Sequence, residues 1–297
     1  MIKKFLALSL LVLSNQLLAE DVSISHKGIT LNANLEKSDD WPNGPTMLVT
    51  HGTLFHNKSE LMVATQELLL ERGISSLAIN LGLNIDNRGG APYDCKIPHT
   101  HKHSDSLDEI DSWSQWLKSQ GVSKVSVLGH SRGGAQTAWY AAERDSDMLD
   151  KVVLVAPMSW DMQDEIKDYK RRYNKDLMPL LDKARQLVKA GKGDEQLSPV
   201  DFIYCEQTSA AASSIVSYYE DDNHRDTSTM LSIVKKPVQV FIGTDDKLVV
   251  GLEDRLTPLV EKGTVELHVI DGSDHFFRDL YAEDMADMIS EFLQPDA

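Results

Sequence analysis

Apolar and polar residues alternate with two different periods along the chain, and the change of period predicts alternating strands and helices. Between residues 22 and 35, apolar side chains occupy every second position on either side of His26-Lys27-Gly28, which is typical of a β-hairpin. Short apolar runs further along predict buried strands at 46–50, 74–79, 124–128, 152–156, 238–242 and 265–270.

Between these strands, apolar residues recur every three or four positions, as on one face of a helix. This spacing predicts helices over 60–71, 107–120, 136–144, 255–261 and 281–292. Strands that alternate with helices form a largely parallel sheet covered on both faces, with the first two strands as an antiparallel exception. We therefore expect an α/β fold whose functional site lies at the carboxyl ends of the strands.

Residues 158–227 interrupt this alternation and predict a helical insertion. Pro179 suits the first turn of a helix, the apolar stripe behind it includes Leu180 and Ala184, and Gly191 marks its end. Residues 208–219, rich in alanine and serine, predict a second helix. Such a stripe more often packs onto the main core than forms a substrate channel.

The first residues are typical of a secretory signal peptide. Lys3 and Lys4 precede a short apolar stretch at 5–13, and Ala19 stands before two acidic residues. We expect residues 1–19 to be removed and residues 20–297 to be exported, to the periplasm or outside the cell. The apolar stretch is well short of the ~20 residues that a membrane-spanning helix needs, which argues against stable membrane insertion.

Net charge narrows the class of partner. The chain carries −16 at pH 7, and loss of Lys3 and Lys4 with the signal peptide changes this from −16 to −18. A surface this negative repels phosphate backbones and anionic lipid headgroups. Nucleic acid or an acidic membrane is therefore not expected as a partner. A small-molecule partner is expected from the candidate chemistry below, and the oligomeric state stays open.

The candidate chemistry begins at residues 129–133, where the sequence Gly-His-Ser-Arg-Gly follows a predicted strand and precedes a helix. In a G-x-S-x-G motif the strand turns so sharply that the serine hydroxyl is exposed above the sheet, and the glycines leave room for the turn. Ser131 is therefore the candidate nucleophile, in preference to a structural turn without chemistry.

A serine hydroxyl is a weak nucleophile and needs a base that a carboxylate orients. His275 is the histidine at a later strand end, whereas His268 lies inside the last strand and is expected to pack there or face solvent. The acid is Asp245 or Asp246, adjacent in one loop, with Asp161 as a weaker third candidate. The order Ser, Asp, His along the chain agrees with the order expected for this fold.

An oxyanion that develops during acyl transfer needs backbone N–H donors, each of which lowers the barrier by about 3 kcal/mol. The N–H of Arg132 follows the nucleophile and opens a helix. The second donor should come from the loop after the third strand, where Gly52 permits close approach and Thr53 N–H is the best candidate.

These motifs resemble the α/β-hydrolase superfamily, through residues 51–52, 129–134, 237–246 and 272–277. The superfamily's Gly-x-x-Asp-x-x-Val pattern fits residues 243–249 and implies that Asp246, rather than Asp245, is the acid. Asp274-His275-Phe276-Phe277 resembles its catalytic-histidine loop. The resemblance implies a lid at 158–227, and hydrolysis of an ester, thioester or amide through an acyl-enzyme without cofactor or metal.

The sequence thus predicts a serine hydrolase that cleaves a carboxylic ester with Ser131, His275 and Asp246. Cleavage of a peptide or thioester by the same residues is the first alternative. A non-catalytic binding or accessory protein of the same fold is the second, although a binding module has no need of all three residues.

Two further sets of residues are candidates for a disulfide and for a metal site, and the disulfide depends on the predicted export. Cys95 and Cys205 could form a disulfide in an oxidising compartment, with two separately packed thiols as the alternative. His99, His101 and His103 have the spacing of ligands on one side of a strand. Lys102 and the lack of strand-like flanks favour an exposed loop with a structural or substrate-proximal role over a metal site.

Overall fold

The computed structural model describes residues 19–144 and 146–294. The predicted signal peptide lies outside the described residues except for Ala19, which precedes the first strand. None of the helices within the two described ranges is long and apolar enough to cross a membrane.

A single eight-stranded sheet forms the centre of the described fold, in the order β1-β2-β4-β3-β5-β6-β9-β10. A separate antiparallel hairpin is formed by β7 and β8. The ten strands are β1 (Glu20–His26), β2 (Ile29–Glu36), β3 (Thr46–Thr50), β4 (Ser75–Asn80), β5 (Val125–His130), β6 (Leu149–Val155), β7 (Gln196–Phe202), β8 (Cys205–Ala211), β9 (Val238–Gly243) and β10 (Glu266–Ile270).

The sheet is parallel from β4 to β10 and antiparallel only at its first edge. β1 pairs antiparallel with β2, and β2 pairs antiparallel with β4. The turn between β1 and β2 contains Gly28, whose φ of +87° lies in the region that glycine adopts without strain. The predicted hairpin and the largely parallel sheet are both confirmed.

Helices cover both faces of the sheet, as predicted. α1 and α9 pack on one face, with the buried side chains Met62, Leu69, Met285 and Ile289. α2, α3, α7 and α8 cover the other face. The nine helices of the described residues are α1 (Glu60–Glu71), α2 (Asp105–Ser119), α3 (Arg132–Glu143), α4 (Met162–Tyr173), α5 (Leu177–Lys189), α6 (Ala212–Tyr219), α7 (Thr227–Leu231), α8 (Leu252–Glu261) and α9 (Leu280–Leu293), besides a 3₁₀ turn at Asn223–Arg225.

The insertion after β6 has a small hydrophobic core of its own. α4, α5, α6 and the β7–β8 hairpin bury Leu177, Leu181, Phe202 and Ile215 against one another. The predicted helix around Pro179 is present as α5. The predicted helix at 208–219 is wrong in its first part: residues 208–211 belong to β8, because they pair with β7, and only α6 is helical.

A disulfide and a short backbone bridge connect the insertion to the loop after β4. The Cys95 and Cys205 sulfurs are bonded at 2.06 Å and link residues 110 positions apart. Near this link, His99 N–H donates to the Ser209 carbonyl, and Ala211 N–H donates to the His99 carbonyl, both at 2.8 Å. The loop and β8 are therefore held together covalently and by backbone hydrogen bonds.

Candidate active site

Ser131 occupies the sharp turn between β5 and α3. Its φ of +56° and ψ of −124° place a non-glycine residue in a sparsely populated backbone region. The Ser131 N–H donates to the Val155 carbonyl of the neighbouring strand at 2.9 Å, which anchors the turn to the sheet. α3 begins directly after it, at Arg132, four residues earlier than the sequence predicted. Ser131 therefore lies at the amino end of a helix.

The glycines around Ser131 are required by close backbone contacts. A Cβ on Gly129 would lie 2.4 Å from the Gly133 carbonyl oxygen, and a Cβ on Gly133 would lie 2.3 Å from the His51 carbonyl oxygen. A Cβ on Gly134 would meet Pro157 Cβ at 2.8 Å. The three glycines thus allow β3, β5 and the chain after β6 to approach the turn.

His275 and Asp246 form a buried hydrogen-bonded pair. His275 Nδ1 donates to Asp246 Oδ2 at 2.7 Å, and Asp246 Oδ1 accepts from the Leu248 and Val249 N–H groups at 2.7 and 3.0 Å. Burial opposes ionisation of Asp246, but the hydrogen bonds from His275 and the two amides outweigh it and lower its pKa. With Nδ1 as donor, the pair leaves His275 Nε2 as the proton-accepting nitrogen.

Gly243 explains why the two loops that carry this pair lie so close together. A Cβ at Gly243, the last residue of β9, would lie 2.2 Å from the Ser273 carbonyl oxygen. Asp245 N–H donates to the same oxygen at 3.0 Å. The contact brings the loop after β9 against the loop after β10, and so brings Asp246 to His275.

The other candidate acids lie elsewhere. The Asp245 side chain is 65% exposed and lies 3.8 Å from Lys247 Nζ. Asp161 caps the amino terminus of α4, where its carboxylate accepts from two backbone amides. His268 lies within β10 and stacks on Phe241 with ring centroids 4.9 Å apart, in agreement with a packing role.

His130 links the nucleophile turn to the histidine loop, a contact that the sequence did not reveal. Its Nε2 donates to the His275 carbonyl at 2.9 Å, and the two rings lie 4.8 Å apart. Burial, aided by the nearby His275, lowers the pKa of His130 to about 4. Its position at the end of β5, one residue before Ser131, was the available signal.

The described contacts place Ser131 and His275 in neighbouring loops without a direct hydrogen bond between the Ser131 hydroxyl and the His275 ring. Such bonds are often loose in a free enzyme and tighten in the substrate complex. The hydrogen bond between Asp246 and His275 is therefore already formed, whereas the hydrogen bond between the Ser131 hydroxyl and the His275 ring is not.

Gly52 and Thr53, in the loop after β3, lie beside the turn that carries Ser131. A Cβ on Gly52 would lie 3.2 Å from Ser131 Cβ, so a backbone approach this close suits glycine. Arg132 Nε donates to Thr53 Oγ1 at 3.0 Å, and the Arg132 guanidinium lies 5.4 Å from the Tyr218 ring centroid. The Arg132 side chain therefore connects the β3 loop with the insertion, while its backbone N–H remains at the helix start.

His51 holds the loop after β3 through hydrogen bonds of both its ring nitrogens. Its Nδ1 donates to the Gly52 carbonyl at 2.8 Å, and its Nε2 accepts from the Leu81 N–H at 3.1 Å. Burial, followed by the charge of Arg88, lowers the pKa of His51 to about 3. A neutral ring of fixed tautomer thus ties Gly52 to the chain after β4.

The exposed loop predicted around His99, His101 and His103 is wrong. The three side chains, which we call the histidine cluster, are at most 1% exposed. Phe202 from β7 packs edge-on against His99 at 5.0 Å, and Tyr218 from α6 packs edge-on against His101 at 5.3 Å. Periodicity gave no sign of this burial because the covering residues come from the insertion, far along the chain.

Within the histidine cluster, ring nitrogens of His99 and His101 face each other, and His101 also contacts Tyr218. His99 Nδ1 lies 3.1 Å from His101 Nε2, and His101 Nδ1 lies 2.9 Å from the Tyr218 hydroxyl. Burial lowers the pKa of His99 to about 4, and lowers the pKa values of His101 and His103 well below their usual range. Across residues 19–144 and 146–294, no group of three or more His, Cys, Asp or Glu is placed to hold a metal ion.

A mostly parallel sheet with a serine at its strand-to-helix turn, and an Asp–His pair at two neighbouring strand ends, is the arrangement of an α/β-hydrolase. The family model Hydrolase_4, described as "Serine aminopeptidase, S33", matches residues 45–278. The chain belongs to this family and is a serine hydrolase of the α/β fold.

Several solved structures share the fold at low sequence identity. Est1E from Butyrivibrio proteoclasticus with bound ferulic acid is 20% identical, with a TM-score of 0.61, over 92% of this chain and 97% of that one. A monoacylglycerol lipase from Paleococcus ferrophilus is also 20% identical, with a TM-score of 0.58, over 89% and 98%. The hydrolase GrgF from Penicillium sp. sh18 is 17% identical, with a TM-score of 0.67, over 93% and 98%. No curated protein sequence matches the chain.

Proposed function

We propose that the protein cleaves a carboxylic ester through an acyl-enzyme formed on Ser131. The observation that carries this proposal is the buried hydrogen bond between His275 Nδ1 and Asp246 Oδ2, at the strand edge where Ser131 occupies a strained turn. A buried Asp–His pair orients an imidazole as a base, and a serine in this turn needs such a base to become nucleophilic. This chemistry agrees with the names of two solved structures of the same fold, an esterase from Pyrococcus furiosus and the monoacylglycerol lipase from Paleococcus ferrophilus.

The residues act in a fixed order. Ser131 Oγ attacks the ester carbonyl carbon while His275 Nε2 takes the hydroxyl proton, and Asp246 stabilises the resulting imidazolium. The N–H groups of Arg132 and Thr53 bind the oxyanion. His275 returns the proton to the leaving alkoxide as the ester C–O bond breaks. Water then attacks the acyl-enzyme carbonyl while His275 takes its proton, and His275 gives that proton to Ser131 Oγ as the bond between Ser131 and the acyl group breaks and the carboxylic acid leaves.

The insertion is proposed to act as a lid over this site. The contact between the Arg132 guanidinium and the Tyr218 ring supports this role, as does the 3.0 Å hydrogen bond from Met158 N–H to the Ser131 carbonyl. These contacts place the beginning of the insertion and α6 next to the nucleophile turn. We further propose that the protein acts after export, where the Cys95–Cys205 disulfide is stable.

A fluorophosphonate probe tests the assignment of Ser131 directly. Such a probe phosphonylates an activated serine, so it should label the wild-type protein and leave Ser131→Ala unlabelled. Ser213→Ala, at a half-buried position on α6, serves as the matched serine control and should label like wild type. Equal labelling of wild type and Ser131→Ala would exclude Ser131 as the nucleophile.

Peptide cleavage is the second candidate, because the family description names an aminopeptidase. The same triad residues would attack an amide carbonyl and give a proton to a leaving amine. A panel of matched p-nitrophenyl esters, p-nitroanilides of amino acids and thioesters separates the two. We expect esters to give the highest kcat/KM, and turnover of aminoacyl anilides above that of the esters would favour the peptidase.

A further inference from the structure

A groove between α1 and α9 opens next to the candidate nucleophile. Its volume is about 450 Å³, within the range of small-molecule sites. Gly52, His130 and Phe276 line its inner end. Gly52 and Phe276 belong to the loops after β3 and β10, and His130 is the last residue of β5. His130 directly precedes Ser131, and a Cβ on Gly52 would lie 3.2 Å from Ser131 Cβ, so this end of the groove borders the turn that carries Ser131, while Ser131 and His275 themselves are not among its lining residues.

The inner walls of the groove are apolar. α1 contributes Leu61, Ala64 and Leu68, and the histidine loop contributes Phe276. Phe55, whose ring lies 6.5 Å from that of Phe276, closes the inner end and is itself 43% exposed. Such walls suit an alkyl or aryl arm and leave few hydrogen-bonding groups for a polar one.

The rim of the groove is acidic. On α1, Glu60, Glu67 and Glu71 are seven and four residues apart, which places them along one side of the helix. Asp279 and Glu283 line the opposite rim. An apolar cleft with carboxylates around its mouth raises the local concentration of cations in a chain whose net charge is already −16.

Two arginines lie at the groove, and both have carboxylate partners. Arg278, itself a lining residue, lies 3.9 Å from Asp274 and over the Phe276 ring, and Arg72 pairs with Asp287 and with Glu283 of the rim. Within residues 19–144 and 146–294, no Lys, Arg or His lies within ion-pair distance of the three α1 carboxylates. Glu60, Glu67 and Glu71 are therefore available to a ligand.

We infer that the groove binds one arm of the substrate, and that this arm is a cationic amphiphile, an apolar chain that ends in an ammonium or guanidinium group. The apolar walls take the chain, and the α1 carboxylates take the charge. The inference rests on the proposed function in that it calls the ligand a substrate. The cation can belong to the alcohol or to the acyl part of the ester, since both extend from the carbonyl at Ser131.

Binding is measured first, without catalysis. Hexyltrimethylammonium is titrated calorimetrically into Ser131→Ala protein at low ionic strength, with hexanol as the uncharged counterpart. We expect saturable binding of the cation that is weakened at least about fivefold by Glu60→Gln, Glu67→Gln and Glu71→Gln combined, the effect of three partly exposed ion pairs. The control, Glu206→Gln, Glu253→Gln and Glu261→Gln combined, removes the same charge from exposed positions outside the groove and should bind like its parent.

A steric variant tests where the cation binds without changing the charge of the groove. Ala64→Trp fills the groove and should abolish binding of hexyltrimethylammonium. Any one of four results would overturn the inference: the cation does not bind, hexanol binds equally well, the two charge variants weaken binding equally, or Ala64→Trp binds the cation like its parent.

Two ester pairs then identify the arm. Acetylcholine and 3,3-dimethylbutyl acetate differ only by the cation in the alcohol, and p-nitrophenyl 6-(trimethylammonio)hexanoate and 7,7-dimethyloctanoate differ only by the cation in the acyl chain. The arm is identified by the pair in which the cationic ester has a higher kcat/KM than its neutral counterpart. The ratio of the two kcat/KM values should fall toward one when Glu60, Glu67 and Glu71 are all replaced by glutamine. Cation binding without fluorophosphonate labelling would reject the proposed function alone, and labelling without cation binding would reject this inference alone.

Discussion

The protein buries histidines in two places, and their partners differ. His275 donates to the carboxylate of Asp246, which stabilises a charged imidazolium when the ring takes up a proton. In the histidine cluster, His99 contacts His101, and His101 contacts the Tyr218 hydroxyl. The His103 ring packs against the rings of Trp139 and Tyr218, and no described contact joins the three histidines to a carboxylate. Burial, reinforced by the charges of nearby arginines, therefore lowers the pKa values of His101 and His103 and keeps their rings neutral.

Burial therefore acts differently on a histidine with a counter-charge and on one without. Beside Asp246, the histidine is arranged to change its protonation state during a reaction. In the histidine cluster, the same side chain packs aromatic surfaces and connects the loop after β4 to the insertion. Three variants separate a site built for proton transfer from one built for packing.

The largest effect is expected for Asp246→Asn. The asparagine keeps the shape of the side chain but removes the charge that orients and stabilises the His275 imidazolium. We expect kcat/KM for a p-nitrophenyl ester to fall on the order of 10³- to 10⁴-fold. Asp245→Asn, adjacent and 65% exposed at its side chain, should change the rate less than about twofold. Similar losses for the two variants would remove Asp246 from its proposed role.

A smaller effect is expected when Cys95 and Cys205 are both replaced by alanine. The disulfide closes a loop of 110 residues, and its loss should lower the free energy of unfolding by about 2 to 4 kcal/mol in a guanidinium titration. Amide exchange should accelerate first in β7, β8 and the loop that carries the histidine cluster. Wild type treated with a reductant provides the matched comparison. Earlier exchange around Asp246 and His275 would contradict this separation.

The main sheet and the chemistry at its edge were predictable from the sequence for a physical reason. Parallel strands are buried on both faces, so each appears as a short apolar run, and their carboxyl ends meet at one edge. Ser131, Asp246 and His275 follow three such runs. The first turn of α3 was missed because Gly133 and Gly134 have low helix propensity, although close contacts require both of them.

The insertion and the groove were not predictable in the same way. Residues 208–211 are small and read as helical, but pairing with β7 makes them a strand. The burial of the histidine cluster depends on Phe202 and Tyr218, and the groove depends on how α1 and α9 pack, which no local pattern records. The role of His130 was not predictable either, since its contact with the His275 carbonyl exists only in the folded chain.

The two histidine sites should lose stability in different pH ranges. For the histidine cluster, the folded pKa values lie below the usual 6.5, so the unfolded chain binds protons first and stability falls as the pH decreases below about 6.5. For Asp246, the folded pKa lies below its usual 3.8, so its contribution is present above that value and is lost only as the pH falls further.

His103→Leu should therefore have the smallest effect at neutral pH and a distinct effect in acid. Neither ring nitrogen of His103 has a hydrogen-bond partner among the described residues, so an apolar side chain should change the free energy of unfolding by less than about 1 kcal/mol at pH 7.5. Below pH 6.5 the loss of stability with pH should become shallower by up to about 1.4 kcal/mol per pH unit, one proton's share. His101→Leu is the control: it leaves the buried Tyr218 hydroxyl without its partner and should cost about 1 to 3 kcal/mol at pH 7.5, a cost that decreases at pH 5 because this variant also removes a buried neutral histidine. Denaturant titrations at pH 7.5 and 5 measure both, and an unchanged pH dependence in His103→Leu would show that this ring is protonated within the fold.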